Sequence, residues 1–110
     1  MNLYFEYIKE RENLDHYEME NGFFTYEIRD KEFYLANIYV RPDQRGTSAK
    51  MHLWEKMQEI AIEKGCDLIS ANIYLNDSGF HRTIRAALKL GFSFVMAQNN
   101  CVTIVKKLGD

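Results

Sequence analysis

The sequence has little of several things that would each point to a class of protein. Cysteine occurs twice, as Cys66 and Cys101, far apart and with no histidine cluster nearby. That excludes a disulfide scaffold or a zinc ribbon and leaves two free thiols in a reduced compartment as the simpler reading. His16, His52 and His81 are scattered and offer no metal-ligand spacing. Positive charge is not in excess: 14 Lys and Arg stand against 16 Asp and Glu, a net charge of −2. A general nucleic-acid binder would carry a strong basic surplus, so that class is disfavoured and any cationic site must be local. No apolar run approaches membrane-spanning length. Residues 1–11 are too charged for a signal peptide, so a cytoplasmic location is expected. Repeats, low-complexity segments and linkers are missing too, and 110 residues suit one domain, 1–110.

What is present is enough apolar material for a core: 46% of residues are hydrophobic and 27% charged. Residues 2–13 suit a short amphipathic helix, with Leu3, Tyr4, Tyr7 and Ile8 on one side. Strands are expected at 14–20, 23–29 and 33–40, forming an antiparallel meander. Asn21-Gly22 reads as a type I′ hairpin turn with positive φ at both residues, and Asp30-Lys31 turns the chain again. A helix over 48–64 places Ala49, Leu53, Met57, Ile60 and Ala61 on one stripe beside Trp54, and Gly65 caps its end. The nearly apolar run 68–75 reads as a strand covered on both faces. A second helix over 80–90, with Phe80, Ile84, Ala87 and Leu88 inward, stops at Gly91. Strands at 92–97 and 101–107 follow, joined by Gln98-Asn99-Asn100.

The stretch from Val40 to Ala49 organises the rest. Pro42 fixes one φ and biases Arg41 towards extended backbone. Gly46 permits close backbone approach, and Thr47 and Ser48 are good helix N-caps. A strand thus runs through a tight turn into a helix start, whose free N–H groups and dipole suit a phosphate. Arg41, Arg45 and Lys50 add local positive charge.

This stretch, Val40-x-Pro42-x-x-Arg45-Gly46-x-Ser48, resembles the GNAT family, the GCN5-related N-acetyltransferases. Their pattern there is Val-x-Pro-x-x-Arg-Gly-x-Gly/Ala. Asp43 stands where the family usually has Gln or Arg, and Ser48 where it has Gly or Ala. The resemblance runs over residues 22–108 and includes Lys89-Leu90-Gly91-Phe92, similar to the close of the family's late helix. It implies an α/β (α+β) fold: a mixed, mostly antiparallel sheet of about six strands with helices on both faces. The helices that begin near Ser48 and Phe80 are expected on opposite faces. The strand before the loop and the strand after the first helix would splay, and the pantetheine arm of acetyl-CoA would enter the gap. Cofactor contacts would then fall on Ile38, Tyr39, Val40, Arg41, Gln44, Arg45, Gly46, Thr47, Ser48, Ala49 and Asn76. The family's usual first strand and pair of helices are shortened here to one helix. The acceptor side should therefore be more open, or be completed by another chain in a homo-oligomer or larger assembly.

Acyl transfer from a thioester to an amine needs the amine deprotonated, the carbonyl polarised and the leaving thiolate protonated. Where the family often carries a glutamate, this chain has Ala36 and Asn37. Where it often carries a tyrosine, four residues before the closing glycine, it has Ala87. Asn37, Tyr74 and His81 are the substitutes available, with Asn72 and Tyr39 nearby; each also has an ordinary packing or solvated role. The expectation is an N-acetyltransferase using acetyl-CoA and an unidentified amine or protein acceptor. The alternative is a GNAT-fold module that binds a CoA compound or a protein without turnover.

Overall fold

Large side chains alternating with polar ones make the first half of the chain a meander. In this computed structural model, which describes residues 3–44, 48–76 and 80–108, β1 (Asp15–Met19), β2 (Gly22–Arg29) and β3 (Glu32–Val40) pair antiparallel in succession. β4 (Leu68–Tyr74) joins β3 in parallel. β5 (Ser93–Gln98) and β6 (Cys101–Lys107) complete a six-stranded sheet in the order β1-β2-β3-β4-β6-β5. Three α-helices accompany it among the described residues, α1 (Leu3–Glu12), α2 (Ala49–Glu63) and α3 (Phe80–Lys89), and Pro42–Gln44 forms one 3-10 turn.

The turns differ from the sequence reading in an instructive way. Neither Asn21 nor Gly22 has positive φ; positive φ at two successive hairpin residues occurs instead at Asn99 (53°) and Asn100 (60°). That pair closes the β5–β6 hairpin between Gln98 and Cys101, as a type I′ turn requires. Gly22 is needed for a different reason. It is buried opposite Val40, and a Cβ there would collide with the Tyr39 carbonyl oxygen. Gly22→Ala should therefore cost about 1–3 kcal/mol by overpacking, read as a lower midpoint in urea, and should push the end of β3 away from β2.

Helices α2 and α3 end in the same device. Gly65 (φ 78°) and Gly91 (φ 95°) take the left-handed conformation. The N–H of Gly65 donates to Ile62 and that of Cys66 to Ala61; the N–H of Gly91 donates to Leu88 and that of Phe92 to Ala87. These are paired Schellman bonds, each with a buried residue just beyond the glycine. Phe92 was expected to begin a strand. It belongs instead to this cap and packs edge-on against Trp54, with ring centroids 5.2 Å apart.

The core lies on one face of the sheet. Phe24, Phe33, Leu35, Ile69, Ala71 and Ile104 project from it towards Leu53, Trp54 and Met57 of α2 and Ala87 of α3. Lys50 of α2 donates to Thr83 of α3 at 3.1 Å, and Lys106 on the same sheet face donates to Gln58 of α2. The two helices are neighbours on one face, not on opposite faces as expected; Ala87, small enough for close approach, lets α3 pack beside α2. α1 supplies the helix on the other face. Its inward residues are Phe5 and Ile8, while Leu3, Tyr4 and Tyr7 are exposed, because Phe5 stacks on His16 at 3.9 Å and meets Phe23 edge-on.

Beyond α1, that second face is polar and held together by its own hydrogen bonds. Asn37 donates to Thr25, Ser70 to Glu32, Thr103 to Asn72, and Asn72 to Tyr34. The strand β4, expected to be covered on both faces, is covered by helices on one only; on the other its polar side chains bond to neighbouring strands and Tyr74 is exposed. Leu88 and Ile60 are less buried than their stripe positions suggested.

Candidate functional site

A bulge opens the site. Leu35 faces Tyr26 and Asn37 faces Thr25, so Ala36 is an extra residue in β3. A bulge bends its strand and increases the local twist. The parallel ladder with β4 runs only from Glu32–Leu68 to Leu35–Ala71, and stops where the bulge begins. Beyond it β3 stays paired with β2 up to Val40, and β4 stays paired with β6 up to Tyr74. Two strands running in the same direction therefore part at their carboxyl ends. A ligand is generally expected at such a place in an α/β sheet.

The residues singled out in the sequence fall around this gap in two groups. Asn37 and Tyr39 on β3, and Asn72 and Tyr74 on β4, share the polar face. Asn37 holds Thr25 through a 2.9 Å hydrogen bond, and Thr25 is fully buried. Tyr39 and Tyr74 are 42% and 53% exposed, so both rings reach open surface beside the gap. His81 is separate. It is exposed in the first turn of α3, packed edge-on to Phe80, and α3 lies on the other face. Ala87 is 1% exposed within the core, so the place where the family often has tyrosine is filled by helix packing.

The turn after β3 begins as expected. The N–H of Arg41 donates to Asn21, and that of Gln44 to Arg41 at 2.9 Å. Arg45, Gly46 and Thr47 lie outside the described residues, as do 77–79 beyond exposed Asn76. Ser48 stands next to Ala49 with helical dihedrals, φ −76° and ψ −2°, and its side chain makes no capping bond. Its expected capping role is thus not met, because a residue already in helical conformation turns its hydroxyl away from the first N–H groups. Arg41 lies 3.6 Å from Asp43, an exposed pair that moderates positive charge at the turn. Asp43, noted in the sequence as a departure, carries this effect.

Other candidate chemistry is weak. Cys66 and Cys101 are free thiols, and burial raises the pKa of Cys66, which makes it a poor nucleophile. No cluster of three metal-binding side chains occurs among the described residues. No helix among them is long and apolar enough to cross a membrane.

Solved structures match this arrangement closely. The chain superposes on a ribosomal-protein alanine N-acetyltransferase from Escherichia coli with a TM-score of 0.75 at 13% identity, covering 100% of this chain and 79% of that one. The fold is the GNAT fold. A PaiA N-acetyltransferase from Thermoplasma acidophilum, in complex with coenzyme A, matches with a TM-score of 0.74 at 18% identity, over 93% of this chain and 67% of that one. A GNAT-family acetyltransferase from Listeria monocytogenes matches with a TM-score of 0.65 at 18% identity, over 80% and 58%. The chain spans less than two thirds of the length of several such GNAT structures. No protein-family model matches the sequence, and neither does any curated protein.

The gap would accept an extended, amide-bearing arm in the manner of an added strand, through the backbone of β3 and β4. The helix start at α2 would meet a phosphate group at the arm's end. The sequence reading missed the bulge at Ala36, although one signal was there: the inward apolar positions of β3 change phase from Phe33 and Leu35 to Ile38 and Val40, with polar Asn37 between them.

Proposed function

We propose that the protein is an N-acetyltransferase that carries an acetyl group from acetyl-CoA to an amine, in the cytoplasm. The observation that carries this reading is the parting of β3 and β4 directly before a turn and helix start, on a GNAT fold. In this reading the backbone of Ile38, Tyr39 and Val40 lines the arm. Arg41, Gln44 and the segment Arg45 to Ala49 hold the pyrophosphate, and Asn76 stands at the opposite rim. The thioester supplies the acyl group and a thiolate leaving group. Asn37 can hold a water or the acceptor amine but cannot take its proton, and Tyr74 offers a hydroxyl from the facing strand. His81, the other catalytic candidate, is exposed on α3 on the opposite face from Asn37 and Tyr74, and has no part in this reading.

A second reading is favoured by two particular residues. Asn37 is already engaged with Thr25, and Ala87 is buried. A GNAT-fold protein so equipped could bind a CoA compound, alone or within a larger assembly, without turning it over. Thiol release from acetyl-CoA with a panel of amines, measured beside a binding titration, separates the readings: binding with release supports the first, binding alone the second. Arg45→Ala should weaken acetyl-CoA by about tenfold, since a charge-assisted phosphate contact is worth about 1.5–3 kcal/mol. An unchanged affinity would remove Arg45 from the site.

A further inference from the structure

We infer that the free edge of β5 takes up an extended acidic segment of another protein as a seventh strand, apart from the gap and independent of acyl transfer. The chain divides its charge unevenly. Residues 80–108 contain five Lys and Arg and none of the protein's 16 Asp and Glu, although the chain as a whole is acidic. Such asymmetry within one chain points to a partner of opposite charge.

The fold brings this basic segment to one border of the sheet. β5 is the outer strand beside β6, so one row of its backbone N–H and C=O groups has no strand opposite. Sheets usually guard such a row with charged side chains, proline or a covering element. The other edge strand, β1, is guarded: it carries Asp15, His16 and Glu18, and α1 packs beside it. β5 reads Ser93-Phe94-Val95-Met96-Ala97-Gln98, with no charge and no proline, and every residue in it is exposed. Phe94, Val95 and Met96 are 50–59% exposed, so apolar surface runs along the edge. Val95 is an extra residue between the Phe94–Ile104 and Met96–Thr103 pairs. This bulge twists the edge but leaves Met96 to Gln98 in regular pairing.

The two faces of the edge differ, and that sets the pattern of the partner. Phe94 lies opposite Ile104, a core residue, and so shares the face of the helices. On that face α2 packs over β2 to β4 and α3 over β4, with Thr83 of α3 tied to Lys50 of α2. At 3.6 residues per turn, Arg85 and Leu88 lie on the side of α3 away from Thr83, and thus towards the β5 border. Both are exposed, as are Arg82 and Lys89, and none of these three cations makes an ion pair among the described residues. On the opposite face Met96 stands beside Thr103. An added strand would turn alternate carboxylates towards α3 and alternate apolar side chains towards Met96. A two-fold pairing of β5 with β5 would bring this surface to itself, and residues 80–108 have no carboxylate to meet its cations. Nucleic acid would meet the cations but not the row of amides and carbonyls, which an extended peptide completes.

The test uses the full chain and a capped eight-residue peptide of alternating Glu and Val. Its controls carry Gln in place of Glu, Lys in place of Glu, or methyl groups on the backbone nitrogens. Affinity is read by calorimetry at low salt, and location by hydrogen exchange of backbone amides. The Glu peptide should bind about fivefold or more tighter than the Gln peptide, and the Lys and methylated peptides should bind least. Amides within residues 93–98 should exchange more slowly with the Glu peptide bound, while those of β1 are unchanged. Arg82→Gln, Arg85→Gln and Lys89→Gln together should remove the advantage of Glu over Gln. Absence of binding by every peptide, equal affinity of the Glu and Gln peptides, undiminished binding of the methylated peptide, or binding that leaves residues 93–98 unprotected overturns the inference. So does self-association that protects the same amides without peptide, which makes a second copy the occupant. Tighter binding of a short single-stranded DNA than of the Glu peptide overturns it as well.

Discussion

Acetyl transfer by this protein is expected to rise continuously with pH, about tenfold per unit until the acceptor amine is deprotonated, with no descending limb. Ordinary alkylamines lose their proton near pH 10. An enzyme with a positioned base and acid shows a bell-shaped profile set by those groups. Asn37 cannot accept a proton, and its amide is held by Thr25. Ala87, in the place where an acid would stand, is buried. General acid–base assistance typically supplies about 100- to 10,000-fold in rate, and that part should be missing. Positioning of the two reactants still accelerates the step. The first test is the profile of thiol release against pH at saturating acetyl-CoA. A bell would show that another group serves, and Tyr74 would be the first to substitute.

Adding the missing groups is informative in one case only. Asn37→Glu should raise the rate at neutral pH, because the side chain emerges beside the gap on the open face. Ala87→Tyr cannot serve as the matching acid, since a phenol ring at this position would have to displace the packing of α3 on the sheet. It should instead destabilise the protein by overpacking, seen as a lower thermal midpoint with no gain in rate.

Trp54→Ala should cost about 3–5 kcal/mol, the usual loss for a large aromatic side chain removed from a core. Trp54 is 1% exposed, lies on α2 and packs edge-on against Phe92 beyond α3. It therefore ties both helices of one face together. Against a total stability of about 5–15 kcal/mol for a domain of ordinary size, this is a large fraction, so the variant should be partly unfolded at mild temperature. Trp54→Phe should lose much less. The indole N–H is buried with no hydrogen-bond partner among the described residues, and such a group costs about 1–3 kcal/mol. Phenylalanine removes that donor and keeps most of the ring contact. Because Trp54 is the only tryptophan, unfolding has to be followed by circular dichroism. A phenylalanine variant as unstable as the alanine one would show that the indole is satisfied and that its shape is what matters.

Several features were legible in single residues. Gly65 and Gly91 marked both helix ends, since only a residue that tolerates positive φ can close a Schellman cap. The alternation in β2 and β3, and the apolar run in β4, gave the strands to within one or two residues. The run Val40 to Ala49 gave the strand, turn and helix start that frame the site. Other features were not legible because they depend on what lies opposite. Asn21-Gly22 has the composition of a type I′ turn, but the chain uses Gly22 to let β3 pass close by. Asn99-Asn100 takes the positive φ values instead.

The residues by themselves determined the order of helices and strands and the glycine caps that close α2 and α3. These follow from local backbone preferences and from the spacing of apolar side chains, which act within a few residues. Only the tertiary structure decided which face each helix covers, where β3 and β4 separate, and which side chains meet across strands. Those outcomes depend on contacts between residues far apart in the chain, such as Lys50 with Thr83 and Asn37 with Thr25. The bulge at Ala36 is the clearest instance: it exists only as a mismatch between two strands, and the gap that frames the site begins there.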